Sequence, residues 1–124
     1  MKINKRMLMN LVKRAYSNAG KEDEIKDKLA YKDIIFSWNV EDIDFWFTVE
    51  VKEGKIFVKE GEAKEPDITF YNKKAEEFHR GNAEEMTTRD MIDTGSFRWT
   101  GNMKYLRHVS LLCKCMRTHY KRFI

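Results

Sequence analysis

Residues 94–102 read TGSFRWTGN, which places five residues between Gly95 and Gly101. Phe97 and Trp99 alternate with polar neighbours, the two-residue period of a strand with one apolar face. The two glycines are suited to ending one helix and leading into the next. The stretch has no lysine followed by serine or threonine, so it does not match a phosphate-binding loop. The sequence therefore predicts a short strand that holds two aromatic rings on one face of a sheet.

An amphipathic helix is predicted directly after this strand, with Asn102 as its N-cap. Its apolar positions recur at spacings of three and four residues, and basic residues occupy the opposite face. The apolar stripe consists of Tyr105, Leu106, Val109, Leu112, Cys113, Met116 and Tyr120. The basic face consists of Lys104, Arg107, Lys114 and Lys121.

The chain before residue 94 changes its apolar period twice. The period is helical from Ile3 to a stop at residues 18–20, and a short charged helix is predicted within 21–30. Strands are predicted next, and then two helices with Gly81 between them, the second beginning near Asn82 with Glu84 and Glu85 in its first turn. The predicted strands cover residues 34–39, 44–51, 56–58 and 67–71. This order predicts an α+β fold, in which a five-stranded, mainly antiparallel sheet has helices packed on one face.

The composition limits the classes of protein to which the chain can belong. The 124 residues suit a single domain over 1–124, and 42% apolar with 35% charged residues is typical of a globular chain. The longest apolar runs are triplets, far short of the roughly 20 residues of a membrane span. The first residues lack the apolar core of a signal peptide, so we expect a cytoplasmic protein.

Charge is segregated along the chain. The first 19 residues and residues 94–124 contain lysines and arginines but no acid, so all 20 acidic residues lie between them. Such asymmetry indicates either an anionic partner, such as nucleic acid or a lipid surface, or terminal segments that pack on the acidic middle. The sequence leaves both readings open.

Residues 45–112 resemble the sterol carrier protein type two domain family. The matching motifs are the turn at 53–55, the Pro-Asp-Ile-Thr-Phe strand at 66–70, a helix ending at Gly81 and the glycine-bracketed strand at 95–102. The resemblance implies a non-catalytic domain whose helices and sheet enclose an apolar tunnel for sterols, fatty acids or acyl-CoA. The chain departs from the family in ending KRFI rather than in a peroxisomal tripeptide. It also places Phe97 and Trp99 where the family has small aliphatic residues.

A set of apolar side chains is expected to form the lipid-binding surface. They share the inward parity of the strands or the apolar stripes of the helices, and the methionines would make a pocket adaptable. The set is Phe36, Trp38, Phe45, Phe47, Val49, Phe70, Met86, Met91, Phe97, Trp99, Met103, Leu106, Val109, Leu112 and Met116. From the residues alone a solid core explains the same pattern, and the family resemblance favours a cavity.

Two further surfaces are candidates for contacts with partners. Lys104, Arg107 and Lys114 would dock transiently on an anionic membrane. Ile35, Trp46 and Phe57 share the outward parity of the sheet, which indicates either a homodimer or partner patch or scattered exposed aromatics.

Other function classes have weaker support. No paired carboxylates or nucleophile and base stand out, so no catalytic residue is named and no enzyme is predicted. His79, His108 and His119 lack ligand spacing with acids or thiols, and Cys113 and Cys115 are expected to be free thiols, so no metal site and no cofactor are predicted.

Nucleic-acid binding is the alternative of a different class, because basic termini and aromatics could contact phosphates and bases. It is disfavoured by the inward register of the aromatic residues, and a protein-interaction module with a solid core remains the other alternative.

Overall fold

The computed structural model describes residues 2–124 and has five strands and five α-helices. The helices are α1 (Lys5–Ala19), α2 (Asp23–Lys28), α3 (Ala75–Asn82), α4 (Thr88–Asp93) and α5 (Leu106–Tyr120). The strands are β1 (Asp33–Val40), β2 (Phe45–Lys52), β3 (Lys55–Glu60), β4 (Ile68–Asn72) and β5 (Phe97–Gly101). Short 3-10 turns lie at Glu41–Ile43, Met103–Tyr105 and Lys121–Phe123. Within residues 2–124 no helix combines the length and apolar content needed to cross a bilayer.

The strands form one sheet in the order β3-β2-β1-β4-β5. Three neighbouring pairs are antiparallel, and the pair of β1 and β4 is parallel. The parallel pair arises because the chain makes a hairpin of β2 and β3 on one side of β1 before it returns to the other side. The α+β class and the mainly antiparallel sheet are thereby confirmed.

Helix α1 has a sequence suited to its place beneath the sheet. The Asn4 side chain accepts a 2.9 Å hydrogen bond from the Met7 backbone N–H and so caps the first turn. The residues at helical spacing on one side, including Leu8, Val12 and Ala15, are fully buried. Tyr16 on the same face packs its ring against aromatic rings of β1 and β2. This helix therefore covers the part of the sheet that β1 and β2 form.

Helix α2 is held more firmly than its charged sequence suggests. Ile25 in the helix and Leu29, which follows it as the C-cap, are at most 1% exposed. Two anchored side chains thus fix a helix of only six residues.

Gly81 does not end a helix, contrary to the prediction. Helix α3 continues through Gly81 to Asn82. A Cβ at Gly81 would lie 2.7 Å from Cε of Met91, so this glycine allows α3 and α4 to pack closely.

Helix α4 begins later than predicted. The Thr87 hydroxyl accepts a 3.1 Å hydrogen bond from the Asp90 N–H, and the Asp90 carboxylate accepts the Thr87 N–H at 3.4 Å. This reciprocal capping box fixes the start of the helix. Glu84 and Glu85, predicted for its first turn, lie instead in the connection before it.

The outward face of the sheet is partly covered by the loop at residues 61–66. Ser37 and Thr48 are buried there, and their hydroxyls lie 2.8 Å apart. The Thr48 hydroxyl donates to the Gly61 carbonyl at 2.7 Å, and the Ser37 hydroxyl accepts from the Ala63 N–H at 3.1 Å. Of the predicted outward patch, Ile35 and Trp46 are half-buried and only Phe57 is exposed. A partner or dimer contact at this patch stays a prediction.

The basic C-terminal region pairs in part with the acidic middle of the chain. Lys121 Nζ lies 2.9 Å from Glu84 Oε2, and Arg98 makes a two-pronged ion pair with Glu41 at 2.6 Å and 3.2 Å. These pairs use only some of the basic groups, so the observed packing accounts for part of the charge segregation.

Candidate ligand-binding cavity

A cavity of about 210 Å³ lies between β1, β4 and β5 on one side and α3, α4 and α5 on the other. It is displaced from the region filled by α1, where the aromatic ring of Tyr16 occupies the space beneath β1 and β2. The helices of the second half of the sequence therefore form its walls together with the last strands.

Three rings on neighbouring strands form the sheet side of the cavity. The Trp38 ring stacks on Phe70 with centroids 4.5 Å apart, and on Phe97 at 5.9 Å. Phe70 and Phe97 are stacked at 5.9 Å with an interplanar angle of 10°. The register pairs Trp38 with Phe70, and strand alternation directs all three side chains to the same face. The result is a continuous apolar wall.

The edge of the cavity carries two exposed apolar side chains. Trp99 is 37% exposed and Ile92 is 42% exposed, although both line the cavity. The Trp99 ring lies 5.7 Å from the buried Phe97 ring, centroid to centroid. Its Nε1–H donates a 3.1 Å hydrogen bond to Sδ of Met103. Trp99 therefore stands where the cavity meets solvent.

The polar groups deep in the cavity bond mainly to the protein. Trp38 Nε1–H donates to Asn72 Oδ1 at 2.8 Å, and Asn72 Nδ2 lies 3.5 Å from Met91 Sδ. Asn82 Nδ2 donates to the Phe78 carbonyl at 3.0 Å. These bonds fix the walls of the cavity and leave its interior predominantly apolar.

Arg117 is the one charged residue among the cavity-lining residues of the described chain. It is half-buried, and it makes no ion pair within residues 2–124. A guanidinium offers several donors in a planar fork that fits a carboxylate or phosphate. The cavity therefore has an apolar interior and a cationic group on its α5 side.

Cys113 also lines the cavity but is poorly suited to act as a nucleophile. Its Sγ lies 3.3 Å from the hydroxyl of the fully buried Tyr16. Burial raises the pKa of the Cys113 thiol and raises that of Tyr16 well above its usual value. Both groups are therefore protonated at neutral pH, and the thiol contributes to packing.

The structure places the fifteen predicted lipid-binding residues in three groups. Seven line the cavity, namely Trp38, Phe70, Met91, Phe97, Trp99, Leu106 and Val109. Six lie in the buried core away from it, namely Phe36, Phe45, Phe47, Val49, Leu112 and Met116. The remaining two, Met86 and Met103, are half-buried and exposed respectively and do not line it.

Sequence reasoning missed several residues of the cavity wall. On α5 the missed residues are Ser110, Cys113 and Arg117, which share a helical face with Leu106. That spacing could have identified them once one cavity residue on the helix was known. The other missed residues are Asn72, Phe78, Gly81, Asn82, Thr88 and Ile92.

The predicted docking residues Lys104, Arg107 and Lys114 are all exposed. Lys104 Nζ lies 5.4 Å from the centroid of the Tyr105 ring. Contact with a membrane stays a prediction.

No protein-family model matches the chain, and comparison with curated proteins gives no match. Solved structures do match. The sterol carrier protein domain 2 of Helicoverpa armigera aligns with a TM-score of 0.69 and 18% identity over 90% of this chain and 87% of that chain. Palmitated SCP2L2 from Aedes aegypti aligns with a TM-score of 0.53 and 18% identity over 76% of this chain and 88% of that chain.

A larger enzyme contains a similar region. The inverting sec-alkylsulfatase Pisa1 from Pseudomonas sp. aligns with a TM-score of 0.58 and 15% identity over 73% of this chain. The chain spans only 14% of the length of that enzyme. Across these structures the similarity establishes the architecture: the chain has the sterol carrier protein 2 fold.

Proposed function

We propose that this protein binds a lipid with a long apolar tail, such as a fatty acid or fatty-acyl ligand, in the cavity and carries it without covalent chemistry. The observation that supports this proposal is the continuous wall of Trp38, Phe70 and Phe97 beside a cavity that has one charged residue among its described lining residues. An apolar site with a few placed polar groups is the usual form of a small-molecule pocket.

The position of Arg117 favours an anionic head group. A guanidinium that makes no ion pair with residues 2–124 can hold a carboxylate through two parallel hydrogen bonds while the tail lies against the aromatic wall. A fatty acid has this combination of groups, whereas a sterol has a neutral hydroxyl. The palmitated state of the similar Aedes aegypti protein supports the same choice.

The size of the cavity indicates that it widens when a long chain enters. Its volume of about 210 Å³ is below the roughly 300–1,000 Å³ of most ligand pockets. Met91 has three rotatable side-chain bonds, and Trp99 stands at the exposed edge, so these two side chains can rearrange more readily than the stacked rings. We expect these two side chains to shift on binding while the stacked rings stay in place.

The test is whether the purified protein contains or takes up a lipid. Native mass spectrometry and solvent extraction would detect a co-purified lipid, and a fluorescent fatty acid would measure uptake. Protein that is consistently empty and takes up none would contradict the proposal and favour an interaction module. Salt distinguishes the nucleic-acid alternative, because RNA affinity falls steeply with ionic strength whereas apolar ligand affinity changes little.

A further inference from the structure

Glu22, Cys115 and His119 meet at a second place in the fold, where the start of α2 contacts α5. Glu22 is the residue that precedes the first turn of α2, and the other two lie one turn apart on α5. None of the three lines the cavity. Their oxygen, sulfur and nitrogen atoms all lie within 4.8 Å of one another.

The contacts in this cluster leave one buried nitrogen without a hydrogen bond. The Cys115 thiol donates a hydrogen bond to Glu22 Oε2, and His119 Nε2 lies 3.5 Å from the same oxygen. Within residues 2–124, His119 Nε2 is buried and has no hydrogen-bond partner. A buried nitrogen without a hydrogen-bond partner is rare in native structures, and such a group commonly binds a water or an ion.

One of the three ligand separations already fits a tetrahedral metal ion. Zinc with bonds of about 2.0–2.3 Å to oxygen, nitrogen and sulfur separates its ligand atoms by about 3.3–3.6 Å. The observed distance from His119 to Glu22 falls in this range. The Glu22 side chain is 47% exposed, so its carboxylate can move the small distance that the Cys115 sulfur requires. Two ligands at i and i+4 on one helix face are also the arrangement of known zinc helices.

We propose that Glu22, Cys115 and His119 bind a zinc ion, with the fourth tetrahedral position left to water or an external ligand. A thiolate, an imidazole and a carboxylate form a mixed set that suits zinc, whereas calcium and magnesium take oxygen ligands. The thiolate and carboxylate together balance the charge of the ion. Nearby, Glu24 adds a negative charge and Arg122 a positive one, so the surroundings are close to neutral.

The sequence alone predicts no metal site, because the three residues are not grouped along the chain. Cys115 and His119 lie close together in the sequence, but Glu22 lies 93 residues before Cys115. Only the packing of α2 on α5 brings the third ligand to the pair. A bound ion would therefore tie α2 to α5 and stabilise the folded state through mass action.

Cobalt is the probe for the test, because Co²⁺ takes the place of Zn²⁺ and has visible spectra. Titration of the full chain should give the absorption of tetrahedral cobalt with a thiolate charge-transfer band, and an equivalent of Zn²⁺ should abolish both. Cys115→Ser should remove the thiolate band. His119→Gln and Glu22→Gln should each weaken binding by more than about 100-fold, since even groups outside the ligand shell are worth about 10–100-fold.

Matched controls separate the site from general effects on the protein. Cys113→Ser removes the other thiol of α5, and Glu24→Gln removes a neighbouring acid, and both should keep the cobalt spectrum. Zinc should raise the unfolding temperature of the parent protein and of Glu24→Gln but not of Cys115→Ser. Absence of tetrahedral cobalt absorption in the parent protein, or a thiolate band that survives Cys115→Ser, would overturn the proposal.

Discussion

Gly101 packs directly against the peptide of Asp67, where the end of β5 meets the start of β4. A Cβ on Gly101 would overlap the Asp67 carbonyl and lie 3.0 Å from Cα of Ile68. The same carbonyl accepts a 2.7 Å hydrogen bond from the Asn102 N–H, and the Asp67 carboxylate accepts the Ile35 N–H at 2.8 Å. Asp67 thus joins β1 to the end of β5, and this close approach requires the glycine that follows the Phe97 and Trp99 rings.

Gly101→Ala is expected to destabilise the protein strongly. The residue has φ +119°, where a non-glycine residue is strained by about 1–3 kcal/mol, and the new methyl group adds the clash with Asp67. Gly61→Ala is the matched control, because Gly61 has φ +112° but a Cβ there would meet nothing within 4 Å. Urea unfolding should show a clearly larger loss for Gly101→Ala. Equal losses would mean that the backbone conformation alone matters.

Trp99→Ala should weaken fatty-acid binding by about tenfold, since it removes part of the apolar surface that would cover the ligand. The loss of folding stability should be smaller than that for truncating a fully buried ring, because the Trp99 side chain is already 37% exposed. Phe57→Ala is the control, since it removes a ring that is 53% exposed on the other face of the sheet. Titration with a fluorescent fatty acid measures the affinity. A gain in affinity in Trp99→Ala would indicate that the ring obstructs the cavity.

The strands and their faces were predictable from the sequence, but the depth of each side chain was not. The period of two residues predicts that Phe47 and Phe97 lie on the same face of the sheet, and both are buried on that face. It does not state that Tyr16 fills the space beside Phe47 while a cavity stays open beside Phe97. That difference depends on which helix packs over each part of the sheet, which is a tertiary property.

The helix boundaries and the polar cavity residues show the same limit. Glycine commonly ends a helix, yet Gly81 instead makes room for the side chain of Met91, which lies ten positions later in the chain. Arg117 reads as one of several basic residues on α5 until the position of the cavity is known. Local patterns predicted the helices and strands, whereas the roles of Gly81 and Arg117 depend on contacts between those elements.

Arg117→Gln is expected to lower affinity for a fatty acid by about 10- to 100-fold, because a charge-assisted hydrogen bond contributes about 1.5–3 kcal/mol. Affinity for the matching long-chain alcohol should change little, since it has no carboxylate. Lys13→Gln removes an exposed charge of α1 and serves as the control. Calorimetric titration with both ligands makes the comparison. Equal losses for acid and alcohol would show that Arg117 shapes the cavity without recognising a charge.

His79 should make stability fall in mildly acidic solution. Its Nδ1 lies 2.7 Å from the Tyr120 hydroxyl, and burial lowers its pKa despite the opposing effect of Glu85. In the unfolded chain it binds a proton near pH 6.5. Below about that pH the unfolded state holds more protons, so the free energy of unfolding decreases until the pH passes the lower folded pKa.

His79→Asn should therefore flatten the change in stability between about pH 7.5 and about pH 5.5. Part of the slope should persist, because burial also lowers the pKa of His108. Urea unfolding at several pH values measures the slope, and an identical slope in the variant would contradict the assignment to His79. Hydrogen bonds to their partners lower the pKa values of Glu22, Glu41 and Glu84. These carboxylates therefore change the free energy of unfolding only in more acidic solution.

Reversing the charge of Lys104, Arg107 and Lys114 to Glu should slow lipid transfer between anionic vesicles by more than about tenfold, because each basic group near such a surface contributes about 1 kcal/mol. All three side chains are exposed on the side of α5 and its preceding turn that faces solvent. Ligand affinity and transfer between neutral vesicles should not change, and added salt should slow the parent protein toward the variant. The control reverses three exposed lysines of β3 and the following loop, Lys55, Lys59 and Lys64. Equal slowing by both triple variants would assign the effect to net charge, whereas slowing by the first alone would place membrane contact at α5.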